Sequence, residues 1–473
     1  PVAVLKIGRS DAGRRAAVTH TAALAGADEV VDAALEECGV IRVFDVDELV
    51  DLARIVERYG VRPVSNVGVC SLSGGSAALL ADLAGVHGLG VEPPTEATLE
   101  QLREILPPLA AVGNPVDLTT EIFGIPETAG TALGTFLGDA GIDAAVFPFP
   151  YQLGRINHVM AEELVVVAEH SDKPVVAVGL SESLLDDQAT RTLRAAGVPY
   201  IPSATKAVLA LERYARLGRH LARPVLAPMA PAEEAAAADR TARDRVAALL
   251  EDASGPLSEQ QSEEMLRCYG VDFAASEVVD TVGDAVAAAE RLGYPVVLKS
   301  AGADVAHKSD AGLVRVGLWD PAEVRTAFEE VSGQYRQITG RERAPVKVAE
   351  LVDDGLEVLC GVTTDPSFGP VVTFGVGGVY AEILGDLAMR VCPIDVDQAR
   401  CLVTDSRCSP ILNGARGGPV LDVDALAGCL AALSRFAHDW SDRVDGVDIN
   451  PLKVRAAGRG VVGLDALVAL SEH

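Results

Sequence analysis

Basic charge is scarce in this sequence. Its 473 residues carry 68 acidic against 40 basic side chains, a formal charge of −28. Phosphate contacts to nucleic acid need a concentrated basic face, so general nucleic-acid binding is excluded. The same deficit excludes an anionic membrane surface as a partner, and the acidity reads most simply as solubility. Long apolar runs are missing as well: none approaches the roughly 20 uncharged residues of a membrane-spanning helix. Residues 1–15 are strand-like and then basic, without the regions of a signal peptide. A cytoplasmic protein is the expectation. No Cys-x-x-Cys pair occurs among Cys38, Cys70, Cys268, Cys360, Cys392, Cys401, Cys408 and Cys429. Their scatter fits neither a zinc site nor a disulfide framework, so reduced, partly buried thiols are expected. Internal repeats and heptads are absent too.

What is present is an ordinary globular balance, 49% hydrophobic and 23% charged, over a length that suggests about three domains. Val2–Ile7, Val67–Leu72, Ala144–Phe149 and Pro174–Leu180 read as buried parallel strands. Amphipathic stretches lie between them: Ser76–Leu89, Glu96–Leu106 and Val159–Ser171. This alternation predicts an α/β architecture with helices on both sheet faces and ligands at the carboxyl ends of the strands. Leu221–Asp239, rich in Ala, Pro and Glu, has no convincing core face and reads as a linker. Structure resumes at Leu257, with Ser258 as an N-cap, then a helix at Asp284–Leu292 and a strand at Pro295–Lys299. A second α/β unit runs from there to the end.

Three groups of residues carry candidate chemistry. The first leaves the opening strand with Lys6, Arg9, Arg14 and Arg15, then presents His20 among small residues (Ala16, Ala17, Ala22, Ala23, Gly26). Small side chains let a loop approach a ligand, the cations favour phosphate, and a neutral histidine nitrogen can attack a phosphoryl group. An ordinary loop histidine is the other reading. The second is the strand–helix turn Ser73-Gly74-Gly75-Ser76, whose free N–H groups could bind an anion; tight turns need glycine anyway. Asn114-Pro115-Val116-Asp117 marks another turn, functional or plain. The third group is dispersed. Lys299 ends a buried strand, where a nucleotide phosphate would give a cation a reason. His307-Lys308-Ser309-Asp310, Glu350-Leu351-Val352, Phe374 to Gly378, and Gly414-Ala415-Arg416-Gly417-Gly418 follow on loops or strand ends. Asp448-Ile449-Asn450-Pro451 and Asp465 offer oxygen ligands suited to Mg²⁺ with phosphates. Each has a purely structural reading as well, and their order along one domain is what joins them.

These segments resemble a known family. AAVTHTAALAGADEVVDAALEECGVIRV is similar to the phosphohistidine segment of succinyl-CoA synthetases and ADP-forming acetate–CoA ligases, the NDP-forming acyl-CoA synthetases. LSGGSAALLAD and GNPVDLT resemble the family's ligase CoA-type domain. The stretch from LSEQQSEEMLRCYGV through GYPVVLKS, HKSDAG, DPSFGPVVTFGVGGVYAEIL, GARGGP, VDINPL and GLDA resembles its ATP-grasp domain. The resemblance implies flavodoxin-like, parallel-sheet CoA-ligase domains followed by an ATP-grasp domain. The implied boundaries are 1–60 for the end of the phosphohistidine domain, 61–221 for the second flavodoxin-like domain, 222–256 for the linker and 257–473 for ATP-grasp.

The resemblance also implies roles. His20 would carry the phosphoryl group, and the N–H groups of Gly74, Gly75 and Ser76 would stabilise it. Lys299 would bind nucleotide phosphate, with Glu350 and Val352 at the hinge that holds the base and Arg416 as a cation on a mobile loop. Asn450 and Asp465 would be Mg²⁺ ligands, Asp448 would orient the phosphohistidine, and His307 would match a second relay histidine. ATP or ADP, Mg²⁺ and CoA are the implied cofactors, CoA held mainly by an N-terminal domain outside the chain, whose opening at Pro1 reads as a fragment's. A small carboxylic acid or acyl-CoA, nucleotide and phosphate are the implied partners, with a homo-oligomer or assembly with the N-terminal part. Two other functions compete: a non-catalytic acyl-CoA or nucleotide sensor, which the presence of His20 disfavours, and an ATP-grasp ligase joining a carboxylate to an amine, which needs neither the His20 segment nor the SGGS turn.

Overall fold

Runs of Val, Ile and Ala flanked by amphipathic segments become strands under helices. The computed structural model describes residues 1–10, 12, 13, 15, 27–125, 127–149, 153–180, 188–222, 233–251, 257–302, 308, 311–376 and 387–471. It divides into two units, Pro1–Arg14 with Leu35–Ala227, and Arg15–Ala34 with Pro228–His473.

In the first unit, β1 (Val2–Leu5) pairs in parallel with β2 (Val40–Val43). A second parallel sheet holds β3 (Val67–Ser71), β4 (Val116–Asp117), β5 (Ala144–Phe149), β6 (Val175–Gly179) and β7 (Tyr200–Ile201) in the order β4-β3-β5-β6-β7. β3, β5 and β6 are buried along their whole length, as expected for strands covered on both faces. The chain turns from β3 to β4 on one side and to β5 on the other, which puts the topological switch at the carboxyl end of β3. β1 departs from the buried strand expected. Val2 is 60% exposed and only Ala3 packs on the core, because β2 is its single partner among the described residues.

Asp139 pins the helix Glu96–Ile105 to the end of the helix Thr128–Gly138. One carboxylate oxygen accepts from the Thr95 amide (2.8 Å) and from the Thr95 and Thr98 hydroxyls (2.6 Å each), and the other from the Gly141 amide at 2.8 Å. Burial alone would raise its pKa, but these donors hold it well below the usual carboxylate range.

The second unit is built on two antiparallel sheets. The smaller has β8 (Ser276–Val279), β9 (Val296–Ser300), β10 (Val314–Leu318) and β11 (Val346–Glu350) in the order β10-β9-β11-β8. The larger has β12 (Leu356–Asp365), β13 (Gly369–Val376), β14 (Leu387–Val391), β15 (Val444–Val454), β16 (Val461–Gly463) and β17 (Ala466–Leu470), in the order β14-β13-β12-β15-β16 with β17 also on β15. Residues 351–355 join β11 to β12 and so link the sheets. Each sheet has its own apolar core.

The expected linker, 222–256, contains a helix, Glu233–Glu251. Ala242, Val246 and Leu250 fall on one face and are buried in the core of the larger sheet, and the Arg243 guanidinium pairs with Asp439, whose side chain is 2% exposed. The stretch first read, Leu221–Asp239, stops just short of this apolar face. No helix among the described residues is long and apolar enough to cross a membrane.

Two outcomes follow from this packing. Leu250→Ala should cost about 2–5 kcal/mol in denaturant unfolding of the second unit, as a buried leucine does; a free linker would lose nothing. Asp139→Asn should destabilise the first unit at neutral pH by about 1.5–3 kcal/mol. Because the folded-state pKa is depressed, that stabilisation is present above the unfolded carboxylate range. The gap between wild type and variant should therefore narrow as the pH is taken below about 4 in urea melts.

Candidate functional site

Alternation along β9 and β11 sets up the site. Val296 and Leu298, with Val346 and Val348, turn into the small sheet's core, so Lys299 and Lys347 share the opposite face, directly across from each other in register. That face meets the helix Glu259–Cys268, started by a capping box between Ser258 and Gln261. Glu259 in its first turn and Glu263 four residues later lie on one side of it. The Glu259 carboxylate takes Lys299 at 2.7 Å and Lys347 at 2.5 Å on one oxygen and Lys308 at 2.8 Å on the other. Lys347 also pairs with Glu263, which Arg267 approaches at 3.3 Å.

Lys299 reaches in the other direction to the larger sheet. Its ammonium donates to the Leu464 carbonyl at 2.9 Å and pairs with the Asp465 carboxylate. Burial would raise the Glu259 pKa, but Lys299, a hydrogen bond with Asp465, Lys347 and Lys308 hold it well below the carboxylate range. Burial would lower that of Lys299, yet Glu259 and Asp465 keep it above its ordinary value. Asp465 goes the opposite way to Glu259. Burial, reinforced by the neighbouring Glu259 carboxylate and opposed by Lys299, pushes it up to about 6.

Asp448 and Asn450 lie on one face of β15, with Ile449 fully buried between them on the other. The Asp448 carboxyl is pushed up by burial. Gly361, its cross-strand partner, accommodates the close approach of the Val447 carbonyl oxygen, which a Cβ there would meet at 3.0 Å. The Asn450 amide donates to the Asp465 carbonyl at 3.3 Å, which brings together the two expected Mg²⁺ ligands, one within β15 and the other in the turn between β16 and β17. Glu350 closes β11, where its carboxylate accepts from the Ala275 amide at 3.1 Å and its own amide donates to the Ala275 carbonyl at 3.0 Å. Val352 lies half-buried in the 351–355 connection. Arg416 is exposed, with a φ of 58° between Gly414 and Gly417; its side chain is not brought to Lys299 by any hydrogen bond or ion pair among the described residues.

In the first unit, Gly74, Gly75 and Ser76 open the helix Gly74–Val86 at the topological switch. The N-cap Ser73 makes no side-chain capping bond, and Gly74 and Gly75 are exposed. Asp117, at the end of β4, lies so close that a Cβ on Gly74 would come within 2.8 Å of its carboxylate. Ser73, Gly74 and Asp117 border a cavity of about 390 Å³ walled by Leu72, Phe123 and Leu153. Asn114 is spent on structure: its side chain bonds Val67, Val69 and Glu92 backbone at 2.9–3.0 Å.

His20 and His307 lie outside the described residues, as do Arg14, Ser309, Asp310, Gly377 and Gly378. Sequence reasoning missed Glu259, Glu263 and Lys347. Glu259 and Glu263 carry no signal beyond acidic residues near the start of a capped helix. The signal for Lys347 was the same as for Lys299, a lone cation in an apolar strand.

A family model described as an ATP-grasp domain matches residues 248–470, one described as a succinyl-CoA ligase like flavodoxin domain matches 1–56, and one described as a ligase-CoA domain matches 67–222. An ADP-forming acetate–CoA ligase I from Archaeoglobus fulgidus is 30% identical over 462 residues, covering 98% of this chain and 65% of that protein. A trans-feruloyl-CoA synthase from an unknown prokaryotic organism is 31% identical over 475 residues, 99% of this chain and 64% of its own length. The beta subunit of ADP-forming acetate–CoA ligase II from Pyrococcus furiosus is 35% identical over 213 residues, 45% of this chain and 90% of the subunit. The chain thus spans just under two thirds of the first two relatives.

Neutralising Glu259 tests the buried charge arrangement. Glu259→Gln should cost the second unit about 3–5 kcal/mol, since it strips a shared carboxylate from two buried ammonium groups. Equilibrium urea unfolding would read this, and a loss below about 1 kcal/mol would mean that the cluster is solvated like a surface pair.

Proposed function

The chain belongs to the NDP-forming acyl-CoA synthetase family, and from that premise we propose that it catalyses the phosphoryl-transfer half of an ADP-forming acyl-CoA synthetase. The overall reaction converts acid, CoA and ATP reversibly to acyl-CoA, ADP and phosphate. In the thioester-cleaving direction, phosphate adds at the acyl carbonyl and CoA leaves as its thiol, giving acyl phosphate. A ring nitrogen of His20 then attacks phosphorus, and the acid departs as carboxylate. His20 next yields the phosphoryl group to a β-phosphate oxygen of ADP and returns to neutral imidazole. Every step reverses, so the same residues activate an acid at the expense of ATP.

The observation that carries this reading is the Lys299 ammonium, buried at the end of β9 and turned from the small sheet to Asp465 on the larger one. A phosphate ligand is the economical reason for a lysine in that place. Glu350 and Val352 follow at the connection between sheets, where a nucleotide base would be held. Asp465, in the turn between β16 and β17, and Asn450, on the adjoining part of β15, would supply oxygen donors. Among the described residues no group of three or more His, Cys, Asp or Glu could hold a metal; Mg²⁺ asks for less, taking one or two carboxylate oxygens and completing its shell from phosphates and water. The residues present fit it. When bound, the ion would neutralise charge on the phosphate oxygens.

Asp448 would orient the phosphohistidine, Arg416 would meet phosphate from its loop, and His307 would serve as a second relay. The amides of Gly74, Gly75 and Ser76 would stabilise phosphohistidine at the acyl phosphate stage. CoA would be held mainly by an N-terminal part outside these 473 residues, in assembly with this one or within a homo-oligomer; the Pyrococcus relative is itself a subunit. Eight cysteines without a disulfide agree with a cytoplasmic setting.

Incubation with Mg²⁺ and γ-labelled ATP should leave acid-labile, base-stable label on the wild-type protein and none on His20→Ala. Tight ATP binding with no label on the wild type would sink the synthetase reading and favour a nucleotide sensor.

A further inference from the structure

Lys347 is the most deeply buried cation of the cluster and has no part in the scheme above. Its side chain is 4% exposed and enclosed by the carboxylates of Glu259 and Glu263, so it cannot itself meet a ligand. Placing it there has a cost. Lys347 and Lys299 are direct cross-strand partners on β11 and β9, and like charges so placed destabilise a sheet.

We infer that Lys347, held by Glu263, is a positioning residue that aims Lys299 across the cleft at nucleotide phosphate. The inference rests on the reading of Lys299 as a phosphate ligand. One oxygen of Glu259 accepts from both ammonium groups, at 2.7 Å and 2.5 Å. Two like charges on a single acceptor settle on opposite sides of it. The side taken by Lys347 is set by Glu263, whose carboxylate is 2% exposed and is held from beyond by Arg267 at 3.3 Å. Arg267 is in turn fixed over the Phe273 ring, 5.2 Å from its centroid. Lys299 is left with the other side, and its remaining acceptors, the Leu464 carbonyl and Asp465, both belong to the larger sheet.

A lysine stem has four rotatable bonds, so an exposed ammonium wanders. Here its direction is set from behind by the second lysine. Without Lys347, the ammonium of Lys299 could fold back over Glu259 and Glu263, away from the larger sheet. A merely structural salt bridge would affect stability and leave the affinity of the folded protein for nucleotide unchanged. A positioning role changes that affinity.

The test compares Lys347→Met and the double variant Lys347→Met/Glu263→Gln with the wild-type chain. Calorimetric titration with Mg·ADP gives Kd, and thermal unfolding shows that each protein is folded at the titration temperature. The double variant removes a cation together with its carboxylate, so it keeps the buried charges balanced and is expected to fold even where the single variant does not. Both are expected to bind Mg·ADP roughly tenfold more weakly or worse, about 1.4 kcal/mol. Wild-type affinity in the folded double variant would overturn the positioning role while leaving the synthetase reading intact. Absence of Mg·ADP binding to the wild type would remove the reading of Lys299 and this inference with it.

Discussion

Two ammonium groups on neighbouring strands, turned away from water, can persist only if a carboxylate lies between them. Glu259 meets that requirement in the second unit. Taking a charge out of water costs several kcal/mol, and the attraction of a partner offsets it only where geometry is good and the remaining hydrogen-bonding sites are filled. Glu259 fills them with three lysines. Its place in the first turn of a capped helix brings the positive end of the helix dipole to the same carboxylate. The helix is in turn buried through Met265 and Leu266 in the core of the larger sheet. One acidic side chain thereby fastens a helix of one core to the strands of another.

Close approach is the second constraint, and glycine answers it. Gly74 lets the Asp117 carboxylate lie against a helix start, where a Cβ would collide with it at 2.8 Å. The result is an anion-favouring helix end beside a fixed negative charge. Gly361, on the strand of the larger sheet that pairs with β15, answers a backbone approach instead: a Cβ there would meet the Val447 carbonyl oxygen at 3.0 Å. At Gly74 the smaller residue opens a polar surface at the carboxyl end of a parallel strand, where an α/β fold places ligands.

Local pattern was legible in the sequence, and long-range charge pairing was not. The buried runs behind β3, β5 and β6 and the helix at Glu96–Ile105 stand where periodicity put them, because burial on two faces leaves an unmistakable apolar run. β1 has the same composition yet stays half open, since exposure depends on partners that composition does not name. The helix at Glu233–Glu251 hid because its first half is alanine-rich and its apolar face begins only at Ala242. Lys299 was conspicuous as a cation ending an apolar strand, and Asp465 and Asn450 as late oxygen donors. That Lys347 stands opposite Lys299 follows from the β9–β11 register, and that Glu259 joins them follows from the docking of a helix. Neither is encoded within a window of neighbouring residues. Asn114 shows the reverse case, a residue in a suggestive motif whose three side-chain hydrogen bonds all go to backbone, two to β3 and one to Glu92.

The charge count of the cluster constrains what can enter it. Lys299, Lys308 and Lys347 face Glu259, Glu263 and Asp465, three positive against three negative, with Arg267 at the edge on Glu263. The interior is therefore nearly neutral, and Lys299 is already saturated with acceptors. A polyanion arriving alone would have to displace the Asp465 carboxylate from Lys299 and leave two anions facing each other in a partly desolvated cleft. On the reading proposed above, a divalent cation arriving with the nucleotide resolves this. Lys299 would exchange a carboxylate for a phosphate oxygen, and Asp465 would exchange an ammonium for the metal. Neither group would be left unpaired, and Glu259 would keep its hold on Lys299 and Lys347 throughout. The Lys299–Asp465 pair is in this sense complementary to a metal–phosphate pair, so on that reading the contact that joins the two sheets is the one a metal-bound nucleotide would replace.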